Sequence, residues 1–373
     1  MAKPAVMAAC ALLASAAAFA QAPPGPVQTK PGAPVQQPPK KDGQIRVKVE
    51  LVATPVTVRD TKGVLVLDLE QRDFRVFDDG VEQRIEHFDL GGEPISAVLV
   101  FEASSRIEPL LPAVRQSGIV FAETVLGQTG EAAIVAYDDE INVLNGFTAD
   151  HEKVEKTIER LRMGTSGARL YDAMSRAVQM LKERPAPENS GRRRVIILVA
   201  EAADTGSEAR FGEVLREAQL SNITIYSVGL STTSAQLRTQ KQTPPMSPTP
   251  PGTFGRPPIP GSVQTPTTEQ QRSGQIDLLG AIIWAVSRLV DSVGDNSLEL
   301  ATAGTGGRHV ATFRDRSIEN AVDEIGGELH AQYSLSYRPT GSPGVGFHEI
   351  KVEVSRRGVT ARARPGYYLG DRD

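Results

Sequence analysis

Ile95-Ser-Ala-Val-Leu-Val-Phe101 is a nearly continuous apolar run, and Val195-Ile-Ile-Leu-Val-Ala200 is wholly apolar. Runs of this length, rich in Val and Ile, fit strands buried on both faces of a parallel sheet. Around them, helical and strand patterns alternate. Residues 110–126 read as a helix, 132–137 as a strand, 151–162 and 170–183 as helices, 207–219 as a helix and 223–230 as a strand. After an interruption the order resumes with a helix at 276–290, a short one at 298–302, a strand at 309–313 and a helix at 317–330. Such an order specifies an α/β class, a doubly wound, Rossmann-like sheet.

Both flanks of this region read differently. Ile45, Val47, Val49 and Leu51 alternate with polar residues, Asp60-Thr-Lys-Gly63 is a turn, and Phe74-Arg-Val-Phe77 runs into the turn Asp78-Asp-Gly80. Alternation returns in Tyr333-Ser-Leu-Ser-Tyr337, in 348–354 and in 359–364. Neither flank has enough strands for an independently stable sheet. The two are therefore expected to combine, with the α/β domain (94–331) inserted between β-strand segments (44–93 and 332–373) that form one small antiparallel β-domain.

The remaining segments carry other signals. Residues 1–20 join a basic start to an apolar stretch and close on Ala18-Phe-Ala20, the pattern of a signal peptide. The apolar run falls short of the about 20 residues a membrane span needs, so no span is expected after signal removal. Residues 21–43 are crowded with Pro, Gln and Lys and read as a disordered linker, and 231–275, with three Pro-Pro pairs, reads as a disordered insertion. Cys10 is the only cysteine and lies inside the leader, so no disulfide is expected in the exported chain. The 41 basic and 45 acidic residues form no long run of either sign, and aromatics are sparse at 5%. Those features argue against a nucleic-acid groove.

Several quoted stretches resemble secreted bacterial proteins with a von Willebrand factor type A domain. They are Val56-Thr-Val58, Asp73-Phe-Arg-Val-Phe-Asp-Asp-Gly80, Leu170-Tyr-Asp-Ala173, Ile196-Ile-Leu-Val199 with Asp204-Thr-Gly-Ser207, Gly304-Thr-Gly-Gly-Arg308 and Gln332-Tyr-Ser-Leu-Ser-Tyr337. The resemblance implies ligand recognition at the carboxyl ends of the strands, through a metal-ion-dependent adhesion site with the pattern D-x-S-x-S, a Thr and an Asp. Here Glu102 stands for the first Asp, Ser104 is kept, Arg106 takes the second Ser position, Ala168 the Thr position and Glu201 the last Asp position. A longer carboxylate suits near-octahedral magnesium poorly, and a guanidinium that stays charged occupies a cation's place.

The resemblance, with its altered ligand set, implies an exported, non-catalytic protein without metal or cofactor. Its partner would be a protein or cell-envelope component, met by the loops holding Glu102, Ser104, Arg106, Ala168 and Glu201. The alternative is a magnesium- or calcium-dependent adhesin using Glu102, Ser104 and Glu201; an enzyme with Glu102 and Glu201 as an acid–base pair is a third class. Arg106 is expected either between the two carboxylates as a substitute cation or pointing into water. Other signals read as structural: Gly304-Thr-Gly-Gly307 as a turn, the five scattered histidines as packing or surface residues, and Asp138-Asp-Glu140 as a solvated turn.

Overall fold

A computed structural model describes residues 51–184, 192–231, 282, 297–312, 316–341, 344 and 346–369. The expected leader, linker, nearly all of the 231–275 insertion and the 276–290 helix except Ile282 lie outside the described residues. So does the first stretch of alternation, 45–50.

The central sheet has six strands in the order β10-β9-β8-β5-β6-β7. They are β5 (Ile95–Glu102), β6 (Glu131–Tyr137), β7 (Ile141–Thr148), β8 (Arg193–Ala200), β9 (Ile223–Gly229) and β10 (His309–Ala311). All neighbours pair in parallel except β7, which runs antiparallel to β6 at the edge. Every residue of β5 and β6 is buried. Alternate side chains of β5 enter two cores: Ala97, Leu99 and Phe101 on one face, Val98 and Val100 on the other.

Helices cover both faces. Helix α2 (His151–Glu159) is capped by Asp150, which accepts from the Lys153 N–H at 3.1 Å, and buries Val154 and Ile158. It shares the first core with α6 (Arg316–His330), through Ile318, Val322, Ile325 and Leu329. Helices α3 (Leu170–Glu183), α4 (Phe211–Leu220) and α5 (Ser297–Thr305) cover the second face. Leu170, Met174, Ala177 and Leu181 form the buried stripe of α3, at helical spacing.

Three elements differ from expectation. The helix expected over 110–126 is instead a 3-10 turn (Ser105–Leu110), α1 (Leu111–Gln116), a single turn (Gly118–Val120) and a π-turn (Phe121–Val125). Pro109 and Pro112 withhold backbone donors there. Gly118 lies so close to α2 that a Cβ would meet Glu155 O and Ile158 Cβ at 3.2 Å. Helix α4 starts at Phe211 and not at 207, because the Ser207, Glu208 and Ala209 N–H groups donate to the side chains of Asp204 and Asp172. Strand β7 went unforeseen, since Asn142, Asn145 and Gly146 weaken its strand signal.

The chain ends build not one sheet but two, each of four antiparallel strands. One has the order β13-β1-β11-β4, the other β14-β12-β2-β3. From the first flank come β1 (Val52–Asp60), β2 (Phe74–Asp78), β3 (Val81–Gln83) and β4 (Ile85–Leu90); from the last come β11 (Tyr333–Tyr337), β12 (Gly346–Val354), β13 (Val359–Ala363) and β14 (Gly366–Leu369). β1 lies between β11 and β13, so strands far apart in sequence pair directly. Val56, Val76, Tyr333, Leu335, Ile350 and Tyr367 join the two sheets in a third core.

Polar contacts tie this sandwich to the α/β domain. The Gln332 amide donates to Thr57 Oγ1 at 3.1 Å and Tyr226 Oη at 2.7 Å, while its carbonyl accepts from Arg193 at 2.8 Å. Glu328 of α6, with no exposed side-chain surface, accepts from Arg59 of β1 at 3.0 Å and from Arg362 of β13. Gly304 and Thr305 of the expected 304–307 turn belong instead to the end of α5, and the chain turns only after it, with Gly306 at φ +81° and Gly307 so near Ile225 O that a Cβ would sit 1.9 Å from it. Among the described residues, no helix is long and apolar enough to cross a membrane.

Two predictions follow from these contacts. Glu328→Ala should lower the unfolding free energy by about 2–4 kcal/mol, because Arg362 loses its counter-charge and Arg59 keeps only Glu324, at 3.8 Å; chemical denaturation measures this. His348 contacts Asp79 Oδ2 at 2.8 Å through Nδ1 and Gly344 O at 2.8 Å through Nε2. Burial alone would lower its pKa, but the bonds to Gly344 and Asp79 and the charges of Asp79 and Asp78 outweigh it and hold the pKa above the ordinary histidine value. A raised folded pKa means that this stabilisation is complete below the unfolded value of about 6.5 and is lost as pH rises through the folded one. Stability should therefore fall by about 1 kcal/mol over that window, and His348→Gln should flatten the profile.

Candidate functional site

Three adjacent strands converge at their carboxyl ends. β5 delivers Glu102, β6 places Tyr137 opposite Glu102 in register, and β8 leads into Glu201. The side chains of Glu102, Ser104 and Glu201 are nearly or fully buried, and Arg106 is half-buried. Both Glu102 carboxylate oxygens are occupied: Oε1 accepts from Ser104 Oγ at 2.6 Å and Oε2 from the Glu201 N–H at 2.7 Å. Ser104 Oγ in turn accepts from the Arg106 N–H at 3.3 Å and caps the 3-10 turn.

The Arg106 guanidinium pairs with Glu201, Nη2 to Oε2 at 3.3 Å, with side-chain exposures of 23% and 8%. It does not bridge Glu102 and Glu201 as expected, because the Ser104 hydroxyl and the Glu201 N–H already hold Glu102. Burial raises the Glu102 pKa above the ordinary glutamate value, aided by the Glu201 charge and opposed by both hydrogen bonds and by Arg106. Ala168 is fully buried and contributes its backbone, exchanging bonds with Thr205: its N–H donates to Oγ1 and its carbonyl accepts from the Thr205 N–H, both at 2.7 Å. Of the five expected site residues, only Arg106 therefore offers appreciable surface; the other four form the floor.

Residues not foreseen as site residues organise this floor. Asp138 is a buried loop anchor, which corrects the reading of the whole 138–140 turn as solvated: its Oδ2 accepts from Thr165 N–H at 2.7 Å and Thr165 Oγ1 at 3.0 Å. Burial opposes ionisation of Asp138, but these bonds and the Glu140 N–H prevail and hold its pKa below the ordinary value. Asp204 Oδ1 accepts from Ser207 Oγ at 2.6 Å and Tyr171 N–H at 3.2 Å, joining the loop after β8 to the start of α3. Tyr137 Oη is fully buried and has no hydrogen-bond partner among the described residues. A useful signal was available for Asp138, since it directly follows a buried strand at the ligand-binding end of an α/β sheet.

The family model described as von Willebrand factor type A domain matches residues 110–203, which include β6, α3 and β8 of this arrangement. The chain carries a von Willebrand factor type A domain. Solved structures similar to it include an aerotolerance-related membrane protein from Bacteroides fragilis, at 11% identity and a TM-score of 0.37, covering 63% of this chain and 99% of that one. The conserved hypothetical protein BatB from Bacteroides thetaiotaomicron matches at 13% identity and a TM-score of 0.38, over 63% and 98% of the two chains. The three N-terminal domains of the type V pili tip protein Mfa5 from Porphyromonas gingivalis match at 18% identity and a TM-score of 0.27, over 42% of this chain and 27% of that one. No curated protein matches the chain.

The A-domain fold implies a divalent metal at these loops, and the residues present do not fit one. Magnesium needs several hard oxygens in near-octahedral array. In this A domain both Glu102 oxygens are engaged, position 168 has no hydroxyl, and a guanidinium sits 3.3 Å from Glu201. That distance is longer than a tight charge-assisted bond. Arg106→Ser should consequently cost about 1–2 kcal/mol, between the values for exposed and buried pairs. Thermal melting should show this loss, with no recovery on adding magnesium.

Proposed function

We propose that this chain is an exported, non-catalytic interaction protein. In this reading its A domain recognises a protein or cell-envelope component through the loops at the carboxyl ends of β5, β6 and β8, without a metal ion. A domains are generally non-enzymatic interaction domains, and this one matches their family model. Export is supported by the leader pattern of residues 1–20.

The observation that carries the metal-independent reading is the Arg106–Glu201 ion pair beside a Glu102 carboxylate whose two oxygens are both bonded within the protein. An internal cation and fixed donors neutralise the floor that the family's scheme leaves to a metal. The same arrangement speaks against acid–base catalysis by Glu102 and Glu201, since both carboxylates are buried and each Glu102 oxygen already accepts a bond within the protein. The loops above are cross-linked: Ser105 N–H donates to Thr165 O and Gly164 N–H to Ala103 O, both at 2.7 Å, and Arg169 N–H to Asp138 O at 2.9 Å. A pre-ordered surface of this kind loses less entropy on binding.

The test is recovery of partners from cell-envelope extract on the immobilised mature protein. Recovery should persist in a chelator and fall severalfold when Arg106→Ser is combined with replacement of loop 163–166. Unchanged recovery would move the interaction to another surface, and recovery abolished by chelator, with stoichiometric magnesium binding in calorimetry, would replace this reading with a metal-dependent one.

A further inference from the structure

We infer that the partner of this face is basic: a protein segment bearing lysine or arginine side chains, the reverse of the acidic group that a metal-bearing site receives. The inference rests on the function proposed above and specifies its ligand. The loops 102–110, 138–140, 161–169 and 201–210 carry eight acidic and four basic residues. Their excess of negative charge equals the net charge of −4 for all 373 residues. Leaving the buried Glu102 out of the count still leaves the face acidic, with seven acidic to four basic residues.

The charges are also arranged for a cationic visitor. Glu108, Asp139, Glu140 and Glu208 are exposed on the rim, and the Glu208 side chain is 90% exposed although it meets Arg169 at 3.1 Å. The basic groups nearest the floor are committed: Arg106 to Glu201 and Arg169 to Asp172 and Glu208. An approaching carboxylate would meet like charge and no uncommitted guanidinium at the centre, whereas an ammonium meets complementary potential. Independently of these charges, Tyr137 Oη lies fully buried and unpartnered beneath the face, within electrostatic reach of Glu102, Glu201 and Asp204. A phenol hydroxyl both donates and accepts, so Tyr137 leaves an unsatisfied acceptor beneath the face that an N–H donor can meet. Met163, 42% exposed on the same loops, offers apolar surface for the stem of a long basic side chain.

Fluorescently labelled hexalysine and hexaglutamate, titrated into the intact mature protein, test this. Hexalysine should bind and hexaglutamate should not, with affinity falling as salt is raised. The combined variant Glu108→Gln, Asp139→Asn, Glu140→Gln and Glu208→Gln should weaken hexalysine at least tenfold. The same number of charges removed elsewhere, by Glu152→Gln, Glu159→Gln, Glu183→Gln and Asp323→Asn, should change it less than twofold. Equal loss in both variants, or binding of hexaglutamate in place of hexalysine, overturns the inference. Envelope-partner recovery that is lost on altering Arg106 and loop 163–166 but insensitive to the four rim substitutions also overturns it, while leaving the proposed function standing. Recovery insensitive to every loop change removes both.

Discussion

β5 is the element on which the rest depends. It is an eight-residue strand buried along its whole length, paired in parallel on both sides and feeding side chains into both cores. Full burial of a large apolar side chain is worth about 1.5–3 kcal/mol, so its register is held by several such terms on each face. A slip of one residue would exchange the two faces and carry Glu102 away from the end of the sheet. The position of the candidate site is therefore a by-product of core packing. The last residue of the strand, Glu102, is a carboxylate that stays buried at the end of the apolar layer.

A buried carboxylate at that point must be compensated. Here the compensation is local and covalently built in: a hydroxyl two residues on, a backbone N–H from the neighbouring strand end, and a guanidinium paired with the second carboxylate. A metal site and this arrangement answer the same electrostatic demand. The consequence differs, because a metal leaves a coordination position for a partner whereas an internal ion pair closes the floor. Recognition then falls to the exposed rim, whose charge is set by the loops and not by the floor.

The β-sandwich stands outside this logic and depends on it in another way. Its strands come from both flanks of the α/β domain, so β1 can pair with β11 and β13 only once the intervening chain has folded back on itself. Gln332 and Glu328 secure that closure from the end of α6 and its exit. Long-range pairing of this kind carries a loop-closure cost that the three-way core of Tyr333, Val76 and Tyr367 must outweigh.

Local pattern determined the α/β core by itself. The nearly continuous apolar run at 95–101 and the wholly apolar one at 195–200 have one way to satisfy both their backbone and their side chains, and the stripe in α3 likewise admits a single buried face. The association of the two flanks was legible from their shared alternation and the shortage of strands in each. The offsets of Glu102, Arg106, Ala168 and Glu201 from the strand ends were legible too. The sequence could not decide the partners of those groups. Arg106 had two carboxylates within range of its long side chain, and only the fold showed that Ser104 and the Glu201 N–H had taken Glu102, leaving Glu201 for the ion pair. The division into two β-sheets, the late start of α4 and the burial of Asp138 were likewise tertiary decisions. Each turns on a hydrogen bond between residues distant in the chain, such as Tyr337 Oη to Asp78, Ala209 N–H to Asp172 or Thr165 N–H to Asp138, and no local periodicity encodes such a bond.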